Sequence, residues 1–541
     1  MESNKPYELG LGLKNPINEP EIEPESKKFG KEEKKSKKKF IIIGLSLSVL
    51  ALVIVSIIII LVIKGGSDDK KDKEEGINKV IMGAIICQFN IQKENQEIKI
   101  LGDEYINKIK LDIYIDEEKY DFSKIYKFNN VGAHKIEIKF YDNLNIDYMF
   151  KDVQDLNKIE IVSYNFSKIL SMISTFENCI NLEEFSLSGF DYSNLKSMKK
   201  LFYNTKINQN ISFSIFNSSQ LEDISYMFAY TPIKEIKFNG INTENVINMS
   251  HLFEGCLSLI DIDLTGINTK NVKDISYMFN SCTNIKQLNL NYFDTSSVKD
   301  MSYMFQGCSK LTSININNLN TQNVENTTGL FSSCIKLSQL DISNFNLINN
   351  KDMSKMFQNC EQLQEINFGN ISTKNVENMA NLFDGCKGIK SLDLHNFITI
   401  KVSNMSSMFL YCQKLEELDL SSFNTESVED MSLMFENCRN LKNIIFENFN
   451  TKKVKFMQRL FYNCYSLTSL DLKMFNTENV IDMERMFYYC TELKYLDISS
   501  FKTSKVQDMS FMFYNCKELT SLDLSNFDVS EVTLCFYHVI K

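Results

Sequence analysis

Beyond residue 24 the sequence has a single proline, Pro232, and its long C-terminal part contains no proline- or glycine-rich stretch. Without such linkers, the 541 residues exceed one compact core yet do not divide into several globular domains. No C-x-x-C occurs, and the four histidines, His134, His251, His395 and His538, do not follow the cysteines, so zinc has no evident ligand set. There is no phosphate-cradling loop and no nucleophile set beside a base, which argues against an enzyme and calls for no cofactor. An overall basic excess is missing too. The net charge is −10, with basic residues gathered near the N-terminus, and an acidic remainder of this kind argues against nucleic acid as a partner.

Charge is absent altogether from "FIIIGLSLSVLALVIVSIIIILVI", Phe40 to Ile63. Its 24 residues, at ~1.5 Å each, match a ~30 Å hydrocarbon core and predict a single transmembrane helix that holds the chain to a membrane. The run is longer than a signal-peptide apolar region and has no small-residue cleavage site behind it, so it is expected to persist as an anchor. Eight lysines precede it between Lys27 and Lys39, against four between Lys64 and Glu75, which places the N-terminus in the cytoplasm and the rest outside the plasma membrane. The lysine cluster fits either a topology signal or an additional contact with anionic lipid. Residues 1–39, which hold four of the five prolines and few apolar side chains, read as a disordered cytoplasmic tail, and 64–76 as a charged linker.

What the chain has in abundance is a repeat. Cysteines stand at 256, 282, 308 and every 26 residues onward to 516, eleven in all. A phenylalanine three places before each continues upstream through Phe228, Phe202, Phe176 and Phe150, giving fifteen units from about residue 141. Within "CQKLEELDLSSFNTESVEDMSLMFE", Leu415, Leu418 and Leu420 form an L-x-x-L-x-L strand segment, with Glu417, Asp419 and Ser421 pointing outward. Val428, Met431, Met434, Phe435 and Cys438 then recur at spacings of three and four, the period of a short helix. Asp430 and its equivalents Asn248, Asp274, Asp300, Asn326, Asp352, Asn378, Asn404, Asp482 and Asp508 stand where an N-cap is needed, with Phe456 the exception, and Gly or Asn often precedes the cysteine as a helix stop. One unit cannot bury its own apolar face, so stability must come from stacking.

The expected fold class is therefore an α/β repeat solenoid, leucine-rich-repeat-like, with parallel strands plus short helices over 142–541, preceded by a single transmembrane helix and a small all-β domain at 77–141. The motifs "MSYMFQGCSKLTSI" and "LDLSSFNTESVEDMSLMF", repeated over about 400 residues, resemble the BspA-type leucine-rich repeat family of surface proteins. That resemblance implies a solenoid displayed on a cell surface, adhesion to other cells or to extracellular matrix, and no catalytic motif. The alternatives are a receptor that signals through its short tail and a cell-coat component without a specific ligand.

The cysteines admit disulfides, metal ligation or packing. Stacked coils keep parallel Cβ atoms ~4.8 Å apart, outside the disulfide range, so a ladder of buried free thiols is expected. The methionine and phenylalanine stripes are core. On the outward strand face Asp263, Asp341, Asp393, Asp419, Asp471, Asp497 and Asp523 share a column, with Asn289, Asn315 and Asn367 on other rungs. Solvation and local hydrogen bonds, a ligand-binding face for an extracellular protein or matrix partner, or calcium would each offset their mutual repulsion. Seven N-x-[ST] sequons lie beyond Ile63. Asn248, Asn326 and Asn404 are engaged at caps, and Asn370 is a further sequon, so Asn165, Asn210 and Asn217 are the candidate glycan acceptors.

Overall fold

A computed structural model describes residues 80–106, 108–163, 168–208, 213–238 and 240–528, all within one compact unit. Residues 40–63, where the sequence predicts the membrane helix, lie outside the described residues, and among those described no helix is long and apolar enough to cross a membrane.

The chain enters through alternating apolar strands: β1 (Gly83–Ile91), β2 (Gln96–Lys99), β3 (Leu111–Ile115), β4 (Glu118–Tyr120), β5 (Ile125–Phe128), β6 (Gly132–Phe140) and β7 (Leu156–Ser163). With β8 (Glu184–Ser186) they form a sheet in the order β4-β3-β6-β1-β7-β8, while β2 and β5 make a separate antiparallel ribbon. In β1, Ile85, Cys87 and Phe89 face inward at alternate positions. β1 pairs antiparallel with β6 and β7, whereas β7 and β8 run parallel. The direction changes there because each later strand returns after a full coil instead of a hairpin. Gly83 permits the junction, for a Cβ on it would lie 2.4 Å from the Phe140 ring and 2.7 Å from the Val162 carbonyl oxygen.

Most of the following coils contribute a strand of three residues with one side chain inward. Parallel pairs form between Glu235–Lys237 and Asp261–Asp263, Gln287–Asn289 and Ser313–Asn315, Gln339–Asp341 and Glu365–Asn367, Glu417–Asp419 and Asn443–Ile445, and Ser469–Asp471 and Tyr495–Asp497. In the coil between β8 and Glu235–Lys237, a 3-10 turn lies at Phe213–Phe216.

The segments expected to be helices are not helical, and the fold is a β-solenoid instead of an α/β one: that 3-10 turn is the single helical element among the described residues. In the coil Asp300–Cys308, the N–H groups of Met301, Tyr303, Phe305 and Gly307 donate to the carbonyls of Asn326, Thr328, Leu330 and Ser332 in the next coil, at 3.1, 2.7, 3.0 and 2.8 Å. Those of Met304, Gln306 and Cys308 instead close tight turns onto residues three back. Left-handed residues every four positions, Tyr303 at φ 55° and Gly307 at φ 70°, break any helix and keep alternate donors aimed at the neighbouring coil. A helix would use those donors internally and leave the coils joined only by side chains. Met301, Met304, Phe305 and Cys308 are buried in either arrangement, which is why the spacing misleads.

The expected N-caps are corrected likewise. Asp300 Oδ1 accepts the N–H of Ser302 at 2.8 Å, closing an Asx turn, while its backbone bridges Asp274 on one side and Asn326 on the other. Phe456 lacks such an acceptor yet keeps both bridges.

Packing follows the repeat. Phenylalanine rings from Phe150 to Phe513 stack in one uninterrupted column, with centroids 5.4 to 6.0 Å apart. A second column is buried and polar. Thr399 Oγ1 donates to the Asn424 carbonyl at 2.7 Å and accepts the Asn424 N–H at 2.8 Å, so each such threonine satisfies a backbone pair in the next coil.

Candidate functional site

The strand face carries the outward side chains. In Glu417–Asp419, Leu418 is buried while both flanking carboxylates are exposed, the alternation that a strand with one wet face imposes. Across the array this puts the seven aspartates of the column, together with Glu235, Asp261, Glu365 and Glu417, on one surface against two lysines, Lys237 and Lys473, with His395 beside Asp393. The four additional carboxylates stand on the other side of the same buried residue, and the period-two alternation is the signal that finds them.

The aspartates are less of a continuous column than their spacing suggests. Asp471 and Asp497 are direct partners in register, but Asp263 faces Lys237, Asp341 faces Asn367, and Asp419 faces Ile445. Asp393 and Asp523 stand at the same position of coils whose residues 391–393 and 521–523 form no strand. Every one of the seven accepts a backbone N–H two residues on: Thr265, Ser343, His395, Ser421, Lys473, Ser499 and Ser525, at 2.9 to 3.3 Å. One carboxylate oxygen thus ends the strand in an Asx turn.

These bonds also set the charge. The hydroxyls of Thr265, Ser343, Ser421 and Ser499, with the neighbouring N–H groups, hold Asp263, Asp341, Asp419 and Asp497 below the usual carboxylate range. The imidazole of His395 does the same for Asp393, and the N–H of Ser525 leads for Asp523. Lys473 Nζ lies 2.7 Å from Asp471 Oδ2. Among the described residues no group of histidine, cysteine and acidic side chains is placed to hold a metal ion. A 400 Å3 groove opens on this face where Asp261–Asp263 and Gln287–Asn289 are not hydrogen-bonded to each other; Ser313 and Asn315 line its far side.

Five overlapping matches to a family described as "Mycoplasma protein of unknown function, DUF285" cover residues 144–261, 232–345, 288–392, 351–469 and 441–538. The chain belongs to the DUF285 family. Sixteen chains of solved structure match it as well. A leucine-rich repeat protein from Eubacterium ventriosum ATCC 27560 is 16% identical, over 58% of this chain and 86% of that one, with a TM-score of 0.25. TLR13, in a complex with ssRNA13, is 14% identical over 69% and 78%, with a TM-score of 0.19. No curated protein matches. This DUF285 chain is a repeat protein.

Elsewhere on the DUF285 coils, a second groove of about 620 Å3 is lined by Lys273, Lys299, Lys351, Asn323, Asn349 and Glu325. Tyr226, His251, Tyr277 and Tyr303 stack face to face at 4.0, 4.5 and 4.9 Å, which consumes the ring faces that a ligand would use. Of the glycan candidates, Asn217 is exposed, whereas Asn165 and Asn210 lie outside the described residues. The sequon Asn248 accepts both the N–H and the hydroxyl of its own Ser250, at 2.9 and 2.8 Å, and Asn326 and Asn404 are engaged in the same way.

Proposed function

We propose that this DUF285 chain is an interaction protein whose strand face receives a cationic protein surface, and that it acts at a cell surface in adhesion to other cells or matrix. The observation that supports this most is the imbalance of that face: eleven exposed or half-exposed carboxylates against two lysines, Lys237 and Lys473. Because each strand aspartate gives one oxygen to its own turn, it is held in place with outward lone pairs remaining, a pre-ordered acceptor for lysine or arginine. Attachment to a membrane through the uncharged run 40–63, with the repeats outside the plasma membrane, belongs to the same proposal and rests on the sequence.

The test is binding of the full chain to a lysine-rich peptide, beside two variants of equal net charge. In one, the seven strand aspartates become asparagine. In the other, seven carboxylates of the turn face, Glu325, Glu361, Glu377, Glu426, Glu429, Glu478 and Glu492, become glutamine. Loss of binding in the first variant alone, with a steep decline in salt, supports the strand face. Equal loss in both rejects it.

A further inference from the structure

The cysteines are the nucleophilic groups that this interaction does not use. Cys179 and the eleven cysteines from Cys256 to Cys516 are free and buried. Each sulfur donates to a phenylalanine carbonyl in the coil before it: Cys179 to Phe150 at 2.9 Å, Cys308 to Phe279 at 3.2 Å, Cys516 to Phe487 at 3.0 Å. The same carbonyl takes the N–H of its own turn, as Phe279 does from Cys282 at 3.1 Å. The thiol proton is therefore part of the coil-to-coil contact, and the sulfur is fully buried against the phenylalanine backbone. Three rungs lack a thiol: Val153 stands on the first, and Thr205 and Thr231 donate to the Phe202 and Phe228 carbonyls of their own turns.

We propose that this ladder is a redox latch: the array closes only around thiols that keep their protons, and a chain oxidised while open stays out of the fold until it is reduced. With a small disulfide such as oxidised glutathione as oxidant, a protein thiolate attacks one sulfur of the reagent. The protein S–S bond forms as the reagent S–S bond breaks, the protein sulfur is oxidised, and the departing glutathione sulfur is reduced and takes up the proton. A sulfur so modified has lost its donor to the phenylalanine carbonyl and carries a tripeptide that a close-packed interior cannot hold. In the closed array the attack is suppressed, since burial pushes the thiols of Cys308 and Cys360 up to about 12 and leaves little thiolate at neutral pH. Oxidant thus acts on opened coils alone, and by trapping them it drains the folded population. A chain bound for an oxidising space must fold with its thiols reduced before it arrives.

This inference is independent of the strand-face reading. The full chain, folded under reductant and then freed of it, is exposed to oxidised glutathione, and an equal sample is exposed in urea and then diluted; mass spectrometry counts mixed disulfides and circular dichroism reports the fold. The native sample is expected to react at least about tenfold more slowly. The urea-treated sample is expected to refold only after dithiothreitol, relative to a sample kept reduced through the same cycle. Should the reduced sample itself fail to refold, the oxidant is added instead during cell-free synthesis, with the same readouts. Native thiols that react as fast as unfolded ones, or a glutathionylated chain with the native spectrum, would overturn the latch.

Discussion

Phe383 lies between Phe357 and Phe409, with ring centroids at 5.5 and 5.6 Å, and is fully buried. Truncation there removes a large apolar side chain and opens a cavity that neighbouring coils fill only by shifting their backbones. Phe383→Ala should cost about 3–5 kcal/mol and, by weakening one interface in mid-array, split the urea transition into two. The neighbouring residue behaves differently. Burial raises the carboxyl of Asp384 although Gln358 donates to it at 2.8 Å, and burial raises Glu436 too. Between the ordinary carboxylate value and the raised one, the folded chain binds more protons than the unfolded chain, so these two groups make stability fall as pH rises through that window. Asp384→Asn should therefore be more stable than the parent at pH 7, with the gap narrowing in acid, as equilibrium unfolding across pH would show. Asp341 and Asp419, which are lowered, act with opposite sign and withdraw stability as pH falls.

At the scale of the element, the strands were readable from the sequence and the helices were not. Leu418 and Leu420 alternate with exposed Glu417 and Asp419, a pattern that only a strand produces at that length. Met301, Met304, Phe305 and Cys308 give the helical spacing, but consecutive turns with left-handed residues at Tyr303 and Gly307 bury the same set. Which of the two forms is decided by where alternate N–H groups find acceptors, and those acceptors lie in another coil. Asp and Asn were recognised as local acceptors, correctly in chemistry and wrongly in geometry. Asp300→Ala should cost about 1 kcal/mol by thermal unfolding, and Asp300→Asn should cost little, since the amide oxygen can still accept from Ser302. Phe456 shows that a coil tolerates the loss because its backbone bridges persist.

Over the whole molecule, stability is a property of stacked neighbours. The N-terminal strands end the stack on one side, for β7 pairs with β1 of the entry sheet and with β8 of the coils. Gly83→Ala pushes a methyl group against the Phe140 ring and the Val162 carbonyl, and is expected to cost about 1–3 kcal/mol. Proteolysis should then begin at the entry sheet while the coils around Phe383 resist, and limited digestion followed by mass mapping would show the order. The strand-face carboxylates belong to this scale as well, because a surface with eleven acids and two lysines exists only once the coils are in register.

The sequence alone determined the repeat length, the inward residues of every coil, the outward acidic positions and the burial of the cysteines, because each follows from periodicity and from the need to bury apolar side chains. The tertiary structure decided how those coils are joined. Turns replace helices because the neighbouring coil offers carbonyls to alternate N–H groups, and the aspartate column is interrupted because register sets Asp263 beside Lys237 and Asp419 beside Ile445. Thiol protons likewise bridge coils instead of packing inertly. All three depend on contacts between residues 25 or more apart, which local spacing does not encode.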